Sequence, residues 1–113
     1  MEKVTQYQEI VSQLLREIAF AGRKPEDPIQ AHVVEDREKG HFLAFVDGYR
    51  GQRRTYGMFA HVDVLPSGKV YVRHDGTEVV IAERLEERGI PKSDIVLMFH
   101  APIQREDSTY AMG

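Results

Sequence analysis

The stretch HVDVLPSGKVYVRHDGTE, His61 to Glu78, decides how this chain is read. It places His61, Asp63, His74, Asp75 and Glu78 close together, so two readings compete. One is a metal or acid–base site. The other is a β-hairpin that runs into a helix. Pro66-Ser67-Gly68 has the chemistry of a three-residue hairpin loop, with proline opening a type I turn and glycine taking the left-handed position. Leu65 then opposes Lys69. Val64 faces Val70, Val62 faces Val72 and Ala60 faces His74, while on the other side Asp63 faces Tyr71 and His61 faces Arg73. Side chains alternate with period two, so His61 and His74 are expected on opposite faces, unable to share a metal. Asp75 falls on the His61 face, opposite Phe59 and diagonal to His61 at ~7–8 Å. Arg73, a cation, stands where a metal partner of His61 is needed. Asp63 and Asp75 lie ~13 Å apart along the sheet, too far to share a proton or an ion. The expectation is no tight metal site among His61, Asp63, His74 and Asp75. It depends on register, because a slip of one residue exchanges the faces.

Outward from the hairpin, Asp75-Gly76-Thr77-Glu78 reads as a helix start. Asp75 serves as N-cap and Glu78 as the returning partner of a capping box. The helix is expected from about Gly76 to Arg88, with Ile81, Ala82 and Leu85 on its buried side. Gly89 fits the left-handed C′ position, Ile90 can touch Leu85, and Pro91 blocks extension. Upstream, Ile29 to Val33 and Thr55 to Val64 alternate apolar and polar, Phe42 to Val46 is apolar throughout, and Glu35 to Gly40 is a charged turn. Val4, Tyr7, Val11, Leu14 and Ile18 recur at helical spacing, giving an amphipathic helix from about Lys3 to Ala21. Gly22 and Pro25 end it, and Arg23 and Lys24 suit its negative pole. Ile95 to Phe99 is a short strand or extended segment. The tail Gln104 to Gly113 is polar and rich in small residues, and is expected to be mobile unless a partner orders it. The fold class is α+β, a single domain over 1–113. A four-stranded antiparallel meander carries an N-terminal and a C-terminal helix on one face, α-β-β-β-β-α plus a C-terminal extension.

At 113 residues the chain supports one modest core. It contains no cysteine, which excludes disulfides and thiolate metal sites and fits a reducing cytoplasm. The apolar runs, such as Ile95 to Phe99, are far too short for a membrane helix, and no secretory segment is visible. The net charge of −3 is wrong for a stand-alone DNA-binding domain. Any work on DNA has to pass through a partner or a local patch.

No motif supplies an enzyme. Gly48-Tyr49-Arg50-Gly51 lacks the lysine and hydroxyl of a phosphate loop, no Gly-x-Ser-x-Gly elbow occurs, and no serine has a histidine beside it in sequence. His32, His41 and His100 are scattered and read as surface or packed histidines. No catalytic residue, cofactor or metal ligand is assigned. One patch does suggest contact. Tyr49, Arg50, Arg53, Arg54 and Tyr56 crowd the turn between the second and third strands, with Asp47 alone as a local counter-charge. Arginine grips phosphate or carboxylate in a fork, and tyrosine stacks. The plainer reading is a charged hairpin tip that discourages edge pairing. A second hint is coverage. Phe42 to Val46 is apolar on both sides, and Phe59 and Tyr71 add aromatics to the face away from Val62 and Val72. Helices can cover one face only. The C-terminal segment or a second subunit has to cover the other, which points to a homodimer or hetero-complex.

With these residues in hand, the chain resembles the fdxN-element excision controlling factor family of the XisI type. The resemblance runs through most of the chain. It includes Tyr7-x-x-Ile10-Val11-x-x-Leu14-Leu15, Gly48-Tyr49-Arg50-Gly51-x-Arg53-Arg54-x-Tyr56-Gly57 and His61-Val62-Asp63-Val64. It continues through His74-Asp75-Gly76-Thr77-Glu78 and Gly89-Ile90-Pro91-Lys92-x-Asp94-Ile95-Val96-Leu97. This chain has Tyr49 and Tyr71 where the family often has tryptophan, and Met98 where it often has glycine. The resemblance implies a non-enzymatic accessory factor for site-specific excision of a DNA element, working with a companion protein of the XisH type and a recombinase. An alternative is a binding module that assembles with or restrains a nuclease-like companion. The resemblance carries no catalytic residues onto this chain, and it leaves open whether the protein touches DNA directly.

Overall fold

The computed structural model describes residues 2–106 and 108–113. Helix α1 spans Glu2–Phe20 and buries Tyr7, Val11, Leu14, Leu15 and Ala19, the apolar stripe its spacing requires. Gly22 follows at φ +69°, and the Arg23 Nε donates to the Ala19 carbonyl at 2.8 Å, so a cation satisfies an orphan acceptor at the negative helix end.

Strands β1 (Ile29–Asp36), β2 (His41–Arg50), β3 (Arg53–Val64) and β4 (Val70–Asp75) form the expected antiparallel meander. The sheet has five strands rather than four. β5 (Ile95–Leu97) joins parallel to β4 after helix α2 (Ile81–Glu87), which forms the crossover between them. All three β5 residues are buried, so the segment lacks the alternation that marks a half-exposed strand.

One face of the sheet is closed. Phe42, Ala44, Ala60, Val62, Val64, Val70 and Val72 meet Leu15, Ile81 and Leu85 of the helices in one core. Polar latches bind the rim. Glu35 accepts from Ser12 Oγ at 2.6 Å, Arg16 Nη2 at 2.5 Å and Arg37 Nε at 3.1 Å. Burial opposes ionisation of Glu35, but these donors together hold its carboxyl below the ordinary range. Asp94 accepts from the Tyr7 hydroxyl at 2.6 Å and pairs with Lys3 at 2.9 Å, and Glu17 pairs with Arg88 across the two helices.

Two helix expectations need correction. α2 begins at Ile81, five residues after Gly76, and its N-cap Val80 offers no side-chain bond. Asp75 still reaches the helix. Its Oδ2 accepts from the Ile81 N–H at 2.9 Å while Oδ1 accepts from the Thr77 N–H at 3.0 Å. Thr77 Oγ1 also bonds Asp75 and the Val79 carbonyl, a local turn that competes with helix. Glu78 is exposed and closes no capping box. The far end is as expected. Gly89 N–H bonds Glu86 O, Ile90 N–H bonds Leu85 O, and Gly89 has φ +106°, a Schellman ending with Ile90 and Leu85 fully buried.

Bonds to the rest of the chain tie the tail down. A short helix α3 (Pro102–Arg105) overlaps its start, and Asp107 lies outside the described residues. The Ala111 N–H donates to Ile95 O at 2.8 Å and bridges to Val96 along β5, while the Tyr110 hydroxyl donates to Glu86. The tail therefore dresses the β5 edge.

Candidate functional site

The second face of the sheet is set by two bulges. The β3–β4 hairpin closes as read: Leu65 N–H bonds Lys69 O, Gly68 has φ +91°, and Val64, Asp63 and Val62 pair with Val70, Tyr71 and Val72. Beyond that the register shifts. His61 pairs with His74 and Ala60 with Asp75, leaving Arg73 as the extra residue of a β-bulge. His61 therefore opposes His74 instead of Arg73, and Asp75 goes with Ala60 to the helix side, where it meets Ile81. A second bulge leaves Phe59 unpaired between Ala44↔Ala60 and Phe45↔Met58. Phe59 consequently packs against the core rather than joining Tyr71 on the far face.

Asp63 is the centre of one cluster on this second face. It is 1% exposed. Its Oδ1 lies 2.9 Å from His41 Nδ1 and 2.8 Å from His61 Nε2, and its Oδ2 accepts from Arg73 Nε. Burial disfavours the charge, but the Arg73, His41 and His61 contacts together hold the carboxyl below its usual range. The Arg73 bulge turns its guanidinium toward Asp63. His41 arrives because it pairs directly with Asp63 across β2 and β3. In sequence His41 is one of the scattered histidines, with nothing to mark it as a partner of Asp63. Beside the cluster, Val34, Asp36, His41, Leu43 and His61 line a hollow of about 330 Å³.

An aromatic strip forms the rest of the face. His32 stacks on Phe45 with centroids 4.9 Å apart, and Phe45 meets Tyr56 edge-on at 6.0 Å. Arg54 lies over both Tyr56 and Tyr49, 5.0 Å and 5.1 Å from their centroids, while bonding Asp47 at 2.5 Å and the Gly48 carbonyl. The strands thus bring Tyr49, Arg54 and Tyr56 into one stack. Arg50 and Arg53 pair at the tip, both exposed, around a Gly51-Gln52 loop whose glycine has φ +66°. Among the described residues neither has an anionic partner. Tyr56 is 67% exposed, Tyr49 53%, Val34 48% and Met58 45%, so the face is open over β1 to β3.

A larger hollow of about 620 Å³ lies on the helix side between Leu14, Ile18, Val46, Phe59 and Val79. Its cations all have partners: Arg23 bonds Ala19 O, Arg84 pairs with Glu87, and Arg88 pairs with Glu17 of the same lining. Glu17, Thr77 and Glu78 also line it, so its charges are largely matched within its own rim.

A protein-family model described as XisI protein matches residues 1–112. A crystal structure of a XisI-like protein from Anabaena variabilis superposes with a TM-score of 0.87 at 30% identity, covering 97% of this chain and 99% of that one. The structure of the fdxN element excision controlling factor XisI from Anabaena variabilis gives a TM-score of 0.82 at 22% identity, covering 98% and 99%. No curated protein matches the chain.

Proposed function

This chain belongs to the XisI family, and on that premise we propose that it is a non-enzymatic accessory factor controlling the excision of a DNA element. It acts in the cytoplasm by docking a companion protein of the XisH type, and through it a site-specific recombinase. The observation that carries this reading is the open sheet face, where exposed Tyr49, Arg54 and Tyr56 form one stack against half-buried Phe45. Tyrosine and arginine dominate the energetics of protein interfaces, and desolvating such a stack is favourable only against a complementary surface. The net charge of −3 argues against DNA as the first partner. Arg50 and Arg53 supply fixed charge at the tip for an acidic partner surface, or for phosphate once the complex is assembled.

The experiment is co-purification and titration of the companion with the unmodified chain and with Arg50→Ser/Arg53→Ser/Arg54→Ser. Companion affinity is expected to fall by at least about tenfold, the loss of one modest hot spot, with the far-UV circular dichroism unchanged. The unmodified chain alone is expected to show no DNA binding at physiological salt. Each phosphate contact made by the complex should add about one unit to the slope of log K against log salt. If the triple variant folds and matches the unmodified chain in companion binding and in DNA binding by the complex, the patch is a solvated tip and the reading fails. If the companion has nuclease activity that falls on addition of this chain, restraint of a nuclease-like partner replaces excision control as the primary role.

A further inference from the structure

We propose that His41, His61 and Asp63 form a binding site for a divalent transition metal of the zinc class. The three residues each present one ligand atom, and these atoms lie within 4.8 Å of one another. Two imidazoles and one carboxylate are the donor set of zinc, cobalt and nickel sites, whereas magnesium and calcium need more oxygen.

The placement follows from the backbone. His61 and Asp63 are two apart on β3 and share a face, and His41 pairs with Asp63 from β2. A site held by two adjacent strands is more rigid than one on loops. The two imidazole-to-carboxylate spacings are close to the bound ones, and the two imidazole nitrogens lie within 4.8 Å of each other. Metal–ligand bonds of about 2.05 Å put tetrahedral ligand atoms ~3.3 Å apart. The His41 Nδ1 and His61 Nε2 atoms stand 2.9 Å and 2.8 Å from the same Asp63 Oδ1. An outward shift of about half an ångström, within rotamer play, opens room for an ion in place of two N–H protons.

Arg73 has two effects. It binds Asp63 Oδ2 and so fixes the carboxylate with Oδ1 toward the imidazoles, the part an outer partner plays for a ligating carboxylate. Its charge also repels the incoming cation. That repulsion lowers affinity for every divalent ion and removes those that depend on charge alone. Nitrogen donors keep the zinc class in place. His41 and His61 also line the hollow beside Val34 and Leu43, from which water can supply a further ligand.

The test is titration of the full chain with zinc chloride and with cobalt chloride at pH 7.5, read by calorimetry and by cobalt absorption. One equivalent is expected to bind at micromolar affinity, with the intense visible bands of low-coordinate cobalt, and magnesium and calcium are expected not to compete. A first ligand must cost at least as much as an outer partner, about 10–100-fold, so His41→Ala and His61→Ala should each weaken zinc by that much or more. His41 has a half-exposed side chain and its variant is expected to keep the fold, which protects the test if His61→Ala unfolds. His32→Ala and His100→Ala should leave zinc affinity unchanged. No saturable zinc binding up to 100-fold excess, or binding that survives His41→Ala in a folded chain, overturns the proposal.

Discussion

The two faces of this sheet solve opposite problems with the same strands. The core of the helix side is filled by buried aliphatic residues with Phe42 and Tyr7, half-buried Phe59 packs against it, and carboxylates such as Glu35 and Asp94 are confined to the rim as latches. The open side carries histidine, tyrosine and arginine, paired with one another and half in water. Burial on the first face holds the fold. The second face keeps side chains whose stacking and charge gain value only when another surface removes the water. Asp63 is the exception that sharpens the contrast, since it points to the open side yet is as buried as the core.

The largest expected effect breaks this comparison outright. Phe42→Ala, on the closed face, should cost about 3–5 kcal/mol in urea unfolding, while Phe45→Ala, its near neighbour on the open face, should cost about 1 kcal/mol or less. Equal losses would mean that the two faces are not different in kind. Next is Glu35, whose folded carboxyl titrates below its unfolded value. A depressed carboxyl contributes stability above the unfolded pKa, and that contribution is lost as pH falls through the folded one. Glu35→Gln should therefore be less stable at neutral pH and lose less on acidification below about pH 4.5, as thermal melts along a pH series will show. The smallest of the three is Asp75→Ala. Removing the acceptor of the Ile81 and Thr77 N–H groups should cost about 1 kcal/mol and leave companion binding intact, because Asp75 belongs to the helix side.

Much of this was legible in the residues. The α1 stripe, the Pro66-Ser67-Gly68 loop and the Gly89 Schellman ending follow from spacing and turn chemistry, and Val62 to Val64 sit in the register their alternation implies. The bulges were not legible. Neither Arg73 nor Phe59 differs in type from a regular strand residue, and a bulge is decided by how the next strand and the chain beyond it pack. Each one moved the residues beyond it across faces: Asp75 to the helices, His74 to the side of His61, Phe59 to the core. The late start of α2 was hidden for a similar reason. Thr77 bonds its own neighbourhood, so a sequence that resembles a capping box forms a turn instead. Of the site, the Tyr49 to Tyr56 patch was visible as composition. The Asp63 cluster was not, because His41 reaches it through a pairing between strands whose register no local motif encodes.

The central claim is that the open face docks the companion. Hydrogen–deuterium exchange of this chain, free and with the companion, tests it most directly. The account predicts new protection over Phe45 to Met58, spanning the end of β2, the Gly51-Gln52 tip and the start of β3, with no change in the solvent-facing turns of α1. Protection that appears on α1 or α2 and spares Phe45 to Met58 would contradict it.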